Sequence, residues 1–327
     1  MGISMNNKIL TPSNKMLTRQ SRTEDLPGLR RIWSSVFGSP DGAAFFDYNY
    51  EPGWCIVAEH DSLPAAMGHL LPIGSLVAGK SRAIPCAMIY AVAALPEHRN
   101  RGLGSAVTES LIALANDRGY PAVVLCPSED RLFEFYASRS NMREWFYVNE
   151  RTYTSPPTNG RQAALGEVSP DEYMLLRENL LSGIPHISLN RRALEYQAIL
   201  CEMFGGGMFK IETRHGTGCA VIERQPEGSV YIKELLHPSA GVKPAQERSL
   251  YAPDANTWLL DAVAAAAGAF PSPVYKVRTP ASSSDHAIGK HSRKTDKKRF
   301  AMLAISPILL DVKRVYPTDP WYGLAFD

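Results

Sequence analysis

The stretch Ala91–Ser105, AVAALPEHRNRGLGS, decides how the chain reads. The apolar run Ala87 to Leu95 predicts a strand that stops at Pro96. From Leu103 the apolar residues Leu103, Ala106, Val107, Leu111, Leu114 and Ala115 recur at helical spacing until Gly119. Between strand and helix lies Arg99-Asn100-Arg101-Gly102-Leu103-Gly104-Ser105. Glycines at the mouth of a helix let backbone N–H groups approach an anion, and the helix N-terminus favours negative charge there. Arg99 and Arg101 add charge-assisted donors. The turn suits a pyrophosphate. It is not a Gly-Lys-Ser/Thr phosphate loop, and no third glycine completes a dinucleotide turn.

Working outward, Thr23 opens a helix with Glu24 and Asp25 in its first turn, and Leu26, Leu29, Ile32, Trp33, Val36 and Phe37 form its apolar face up to Gly38. A short helical piece spans Ala43 to Tyr48. Trp54 to Glu59 and Pro64 to Pro72 read as an antiparallel pair. Beyond the turn, Ala122 to Cys126 is apolar on all sides, as a buried strand would be. Asp130 to about Arg139 is helical and Trp145 to Tyr153 is a strand. Thr154 to Ala163 is rich in Pro, Gly and small polar residues and reads as a linker. Ser169-Pro170-Asp171-Glu172 is a capping box that starts a new unit, and Asn190 is the N-cap of its second helix. Strands at Met208 to His215, Cys219 to Arg224 and Ser229 to Leu236 follow, then a helix at Asn256 to Ala267 and a strand at Val274 to Thr279. Ala281 to Arg299, polar and basic, reads as a mobile, solvated loop. The expected organisation is a leader over 1–18, a first domain over 19–153, a linker over 154–163 and a second domain over 164–327, in a mixed α/β class.

Composition narrows the function. At 45% apolar and 21% charged, the chain is an ordinary globular protein. A net charge of +2 is too balanced for a protein whose main partner is a nucleic acid or an anionic membrane. No apolar run is long enough to span a bilayer, and the N-terminal MGISMNNKILTPSNK lacks a secretory core, so the expected compartment is the cytoplasm. Met5-Asn6 stands where a myristoylation signal needs Ser or Thr. Five scattered cysteines without a C-x-x-C predict reduced thiols and no zinc, and the eight histidines show no ligand spacing, so no metal is expected.

Arg99-x-x-Gly102-x-Gly104 after Val92-x-x-x-Pro96, with Phe135-Tyr136 on a later helix, resembles the GNAT superfamily of acyl-CoA-dependent N-acetyltransferases. The order of elements from Thr23 to Tyr153 matches that fold. One departure is plain: where the family commonly has Phe-Tyr-x-x-x-Gly-Phe, Ser140-Asn141 stands here. The resemblance implies that acetyl-CoA is the acyl donor. Its pyrophosphate would lie on the amides of Asn100, Arg101, Gly102, Leu103, Gly104 and Ser105 beside Arg99, and its pantetheine arm would pair with Val92, Ala93 and Ala94. Tyr136 would protonate the departing thiol; without the family context it is a helix tyrosine packed on the sheet.

A first acetyltransferase domain followed by a second, degenerate one is similar to the Eis-like branch, whose members carry a further C-terminal domain that this chain does not hold in full. After Leu236 the second half continues HPSAGVK, with no Arg-x-x-Gly-x-Gly turn. The Eis-like pattern has a Ser-Glu contact with CoA, which would fall on Ser128-Glu129; an acid complementing a helix N-terminus explains Glu129 equally well. Leu324 and Phe326 in the apolar end of the chain are expected to be buried and to hold Asp327 in place. By analogy with Eis-like enzymes Asp327 would be the general base. The alternative, a tail packed locally on the second domain, stands beside it. His98 reads as a solvated loop histidine, His69 as a strand histidine satisfied by its neighbours and Cys126 as core packing. The implied reaction is acetyl transfer to a small-molecule or peptide amine by direct attack in a ternary complex, with no nucleic-acid or membrane partner; an oligomer is compatible with the sequence. The alternative is a non-catalytic acyl-CoA-binding or regulatory protein, which the altered Ser140-Asn141 turn suggests.

Overall fold

The computed structural model describes residues 17–77, 83–154, 156, 163–238, 255–281, 297–305 and 320–326. Most of the expected leader and linker, the loop over 282–296, residues 239–243 after the second-half strand, and Asp327 lie outside the described residues.

In chain order the first half holds β1 (Thr18–Gln20), α1 (Leu26–Val36), α2 (Asp41–Tyr48), β2 (Cys55–His60), β3 (Leu63–Val77), β4 (Ala83–Ala94), α3 (Leu103–Asp117), β5 (Ala122–Leu125), α4 (Asp130–Ser140) and β6 (Arg143–Thr154). The second half adds β7 (Ala163–Glu167), α5 (Pro170–Leu180), β8 (His186–Leu189), α6 (Arg191–Met203), β9 (Gly207–Thr213), β10 (Gly216–Arg224), β11 (Val230–Leu236), α7 (Ala255–Ala269), β12 (Val274–Pro280) and β13 (Lys297–Ile305). The caps read from sequence are made: the Ser169 hydroxyl accepts from the Glu172 amide at 3.3 Å, and the Asn190 side chain accepts from the Ala193 amide at 2.8 Å.

Among the described residues one mixed sheet of 13 strands joins both halves, in the order β1-β2-β3-β4-β5-β13-β6-β12-β11-β10-β9-β7, with β8 on β3. The assignment of Lys297, Lys298 and Arg299 to a solvated loop is corrected here: they open β13, which lies between β5 and β6 and pairs antiparallel with both. Their charges are neutralised by carboxylates of the first half. Arg299 meets Asp130, Glu134 and Glu144 at 3.0–3.2 Å, and Lys298 meets Glu150 at 2.6 Å.

Helices α3 and α4 cover one face of the first half. Leu103, Val107, Leu111 and Leu114 of α3, with Phe133 and Tyr136 of α4, pack on Ile89, Val123, Leu125 and Met302. The opposite face is covered by α1, α2, α5 and α6 and by residues 321–326. Strand β5 explains its own composition: Val123 and Leu125 enter the first core and Ala122 and Val124 the second, so no face is left for polar residues. In the second half α7 lays Trp258, Ala262, Val263 and Ala266 on β9 to β12.

The sheet opens at one place. β4 runs parallel to β5 only as far as Ile89 opposite Leu125, although β4 itself continues to Ala94. Against β3, two steps from His69 to Met67 face three from Tyr90 to Ala93, and Ala91 sits at φ +52°. This bulge bends β4 away and parts the two strands.

Candidate active site

The gap between β4 and β5 widens into a cleft of about 500 Å³. One side is formed by Ile89 to Val92 and Leu125 to Ser128 at the parted strands, with Leu132 and Tyr136 from α4. Trp33, Phe37 and Asp41 approach from the α1–α2 corner. Glu150, Arg278, Lys298, Arg299 and Phe300 come from β6, β12 and β13, and Ala325 and Phe326 close the remaining wall. The cleft is therefore built by both halves of the chain.

Tyr136 is 6% exposed, and its hydroxyl makes no hydrogen bond with the described residues. Burial pushes its phenol up to about 12, so it keeps its proton at neutral pH. Phe135, its neighbour at 5.1 Å between ring centroids, lies under the glycine turn: a Cβ on Gly104 would stand 3.7 Å from the Phe135 ring. The helix that carries the phenol thus also supports the mouth of α3.

At that mouth the order of strand, turn and helix is the one read from the sequence. Asn100 and Gly102 lie in the left-handed region at φ +61° and +80°, and Gly102 is the N-cap of α3. Arg99, Asn100, Arg101 and Gly102 are exposed, while Leu103 is buried as the first core residue of the helix. Arg99 folds back to donate to the Ala94 carbonyl at 3.4 Å. Arg101 donates to His60 Nε2 at 3.2 Å, which makes that nitrogen an acceptor. The turn sits on the surface beyond the cleft, at the far end of the segment Val92 to Ala94. Past Ile89 that segment has lost its β5 neighbour, so the backbone of Val92–Ala94 borders the opening. Val92 lines the cleft, Ala93 is buried and Ala94 is half-buried. Glu129, at the N-cap of α4, pairs with Arg131 on the surface and is not among the residues lining the cleft.

The structure buries Leu324 and Phe326 at 0% and 5% exposure. Phe326 packs between Tyr196 and Tyr90, with centroids at 5.1 and 6.1 Å, and its carbonyl accepts from the Tyr90 hydroxyl at 3.4 Å. Asp327 follows it directly in sequence. His69 lies outside the cleft, boxed by Phe45, Phe46 and Tyr50, and desolvation holds its imidazole down at about 3. Cys126 lines the cleft and donates to the Phe300 carbonyl at 3.1 Å.

Sequence reasoning missed the charged end of the cleft. Glu150 accepts from Lys298 at 2.6 Å and from the Tyr231 hydroxyl at 2.7 Å. Burial alone would raise its carboxyl, but these two donors hold it below the usual range. Arg278 donates to Tyr231 and lies over the Phe300 ring at 4.3 Å. These residues come from four strands, and no local spacing links them. Among the described residues no cluster of three His, Cys, Asp or Glu side chains could hold a metal ion, and no helix is long and apolar enough to cross a membrane.

Comparison with known proteins agrees with this geometry. Residues 18–176 match the family model described as an acetyltransferase (GNAT) domain. No curated protein matches the sequence. Among solved structures, the GCN5-related N-acetyltransferase of Anabaena variabilis ATCC 29413 superposes with a TM-score of 0.62 at 14% identity, covering 90% of this chain and 74% of that one. That of Kribbella flavida gives 0.58 at 14%, covering 89% and 72%. Eis1 of Mycobacterium abscessus gives 0.56 at 14%, covering 89% of this chain and 74% of its own. At such identity these likenesses concern the fold. Residues 18–176 therefore form an acetyltransferase (GNAT) domain, and the chain as a whole shares its fold with Eis1.

Proposed function

We propose that the protein moves an acetyl group from acetyl-CoA to the amine of a small molecule or peptide, with donor and acceptor bound together and the amine attacking directly. The observation that carries this reading is the meeting of the parted β4–β5 strands, the Tyr136 phenol and the buried residues 325–326 in one cleft. Val92, Ala93 and Ala94 would pair with the pantetheine arm as an added strand. The amides of Asn100 to Ser105 would take the pyrophosphate beside Arg99 and Arg101, with Glu129 at the border. The left-handed Gly102 and Asn100 fit that use, because turns that include left-handed residues can form anion-binding concavities of backbone N–H groups.

Acetyl-CoA supplies a thioester whose carbonyl is already electrophilic, so the chemistry calls for no metal. Tyr136 would hydrogen-bond the departing sulfur and give it a proton. Asp327 would accept the proton of the acceptor's ammonium, directly or through one water, as the residue after the anchored Phe326. The altered turn that motivates the non-catalytic alternative is closed by Asn141. This residue stands at φ +50° after α4, and asparagine is the side chain best suited to a left-handed position that glycine would otherwise fill. The five cysteines are all free thiols, in keeping with a reducing compartment such as the cytoplasm.

Thiol release from acetyl-CoA, assayed with polyamines, aminoglycosides, amino acids and peptides, tests the reading. Release with an acceptor is expected. CoA binding without release from any amine would favour a non-catalytic role. Deleting Phe326-Asp327, and separately extending the chain by several Gly and Ser residues, should each lower turnover. Full turnover in both folded variants removes Asp327 from the mechanism.

A further inference from the structure

Residues 321–326 reach the cleft held by two buried charged side chains, Glu234 and Arg278. At the start of this strap the Trp321 amide donates to the Pro185 carbonyl at 2.7 Å, and the Trp321 carbonyl accepts from the Ile187 amide at 3.0 Å, which lays the chain parallel to β8. The Trp321 indole Nε1 donates to Glu234 Oε1 at 2.7 Å. Glu234 is wholly buried on β11 and also accepts from the Tyr173 hydroxyl at 2.7 Å and from Arg177 Nε at 2.9 Å. Arg177, equally buried, donates its other arm to the Ile187 carbonyl at 2.7 Å, so it steadies the strand on which the strap lies. Two residues further on, the Gly323 carbonyl accepts from Arg278 at 2.9 Å. A Cβ on Gly323 would collide with the Trp321 indole, so the strap folds tightly over its own anchor. It then runs into Phe326, which holds a left-handed φ of +59° that a bulky side chain adopts only when its surroundings impose it.

A hydrophobic patch alone would not fix such an end. Apolar packing is non-directional, whereas a hydrogen bond to a buried carboxylate sets both the position and the rotation of the indole. We propose that Glu234 and Trp321 are positioning residues for the acetyl-transfer reaction: the second half reads the indole through Glu234 and thereby fixes where Phe326 stands in the cleft. The inference deepens the acetyltransferase reading and rests on it for its kinetic consequence. It gives the second half a task other than cofactor binding. Glu234 touches neither donor nor acceptor and acts through the strap.

Trp321→Phe keeps an aromatic ring, deletes the N–H that reaches Glu234, and leaves that carboxylate paired with Arg177 and Tyr173. Hydrogen–deuterium exchange read by mass spectrometry should show residues 321–326 losing at least tenfold in protection while β11 keeps its own. Acetyl-CoA affinity by calorimetry should stay within twofold of wild type. For the best amine, kcat should fall at least tenfold, with KM for acetyl-CoA unchanged. Gly323→Ala, which displaces the same indole from the other side, should reproduce both changes. Unaltered exchange over 321–326 in both variants overturns the proposal. So does faster exchange with wild-type kcat, because the strap would then move without effect on the reaction. Loss of β11 protection together with the strap would mark Trp321 as an ordinary core residue and overturn it as well. If wild-type protein releases thiol with no amine, the reaction assignment fails separately, and the exchange data still decide whether Glu234 holds the strap.

Discussion

Replacing Tyr136 by Phe removes one oxygen from a ring that is otherwise packed between α4 and the sheet. Acetyl-CoA binding should persist and kcat should fall by about 10²–10⁴-fold, the usual range for a positioned proton-transfer group. Because burial places the phenol at about 12, its ionisation should not limit the wild-type rate between pH 7 and 10; a basic limb in that range that vanished in Tyr136→Phe would contradict the assignment. Wild-type turnover in the folded variant would move the proton donor elsewhere. The phosphate turn is tested at Gly102, which is exposed and left-handed at the mouth of α3. Gly102→Glu strains that backbone and sets a carboxylate where a pyrophosphate would lie. CoA affinity measured by calorimetry should drop at least tenfold, and an unchanged affinity would remove the turn from cofactor binding.

At the scale of elements, α4 ends on a left-handed Asn141. Asn141→Gly should leave stability unchanged or slightly raised, whereas Asn141→Ala should cost about 1 kcal/mol in chemical denaturation, because a Cβ without a local hydrogen-bonding group is poorly tolerated in the left-handed region. Equal stability of the two variants would show that the left-handed turn is not held in solution. The elements legible in the sequence are those whose signal is local. The α3 stripe, the Ser169 capping box and the all-apolar β5 each carry their evidence within a few residues, and the Arg99–Ser105 turn was legible for the same reason. β13 was not. Its first three residues are basic and continue a polar tract, and the carboxylates that neutralise them lie at Asp130, Glu134, Glu144 and Glu150, far back in the chain. The short strands β1 and β8 were missed because three or four residues hold too little periodicity to register. The charged end of the cleft was hidden likewise, since Glu150, Arg278 and Lys298 meet only after three distant strands are laid side by side.

The whole molecule depends on that hidden strand. The Pro- and Gly-rich stretch 154–163 marks a change of pattern in the sequence, yet strands from before and after it share one hydrogen-bonded sheet. Met302 and Leu303 of β13 pair with Leu125 and Val124 of β5, and on the other side Lys297 to Leu303 pair with Asn149 to Arg143 of β6. Without β13 the first half would have β5 held from one side only, by the short parallel ladder to β4. Phe300, Ala301, Met302 and Leu303 are all at most 5% exposed, so its removal also empties both cores beside the cleft. Truncating one large buried side chain costs about 2–5 kcal/mol, and a whole domain is stable by only about 5–15 kcal/mol, so losing three such side chains and two ladders should exceed what the first half can bear. Residues 1–154 expressed alone are therefore expected to aggregate or to show no cooperative denaturation by circular dichroism. Appending residues 297–305 through a short Gly/Ser linker should restore a cooperative transition, because β6 and β13 are antiparallel neighbours. A cooperative transition in the unaided fragment, with CoA binding, would show that the cofactor half is self-sufficient. The rescue, if it occurs, fixes the smallest unit on which the phosphate turn and Tyr136 can be tested apart from the strap.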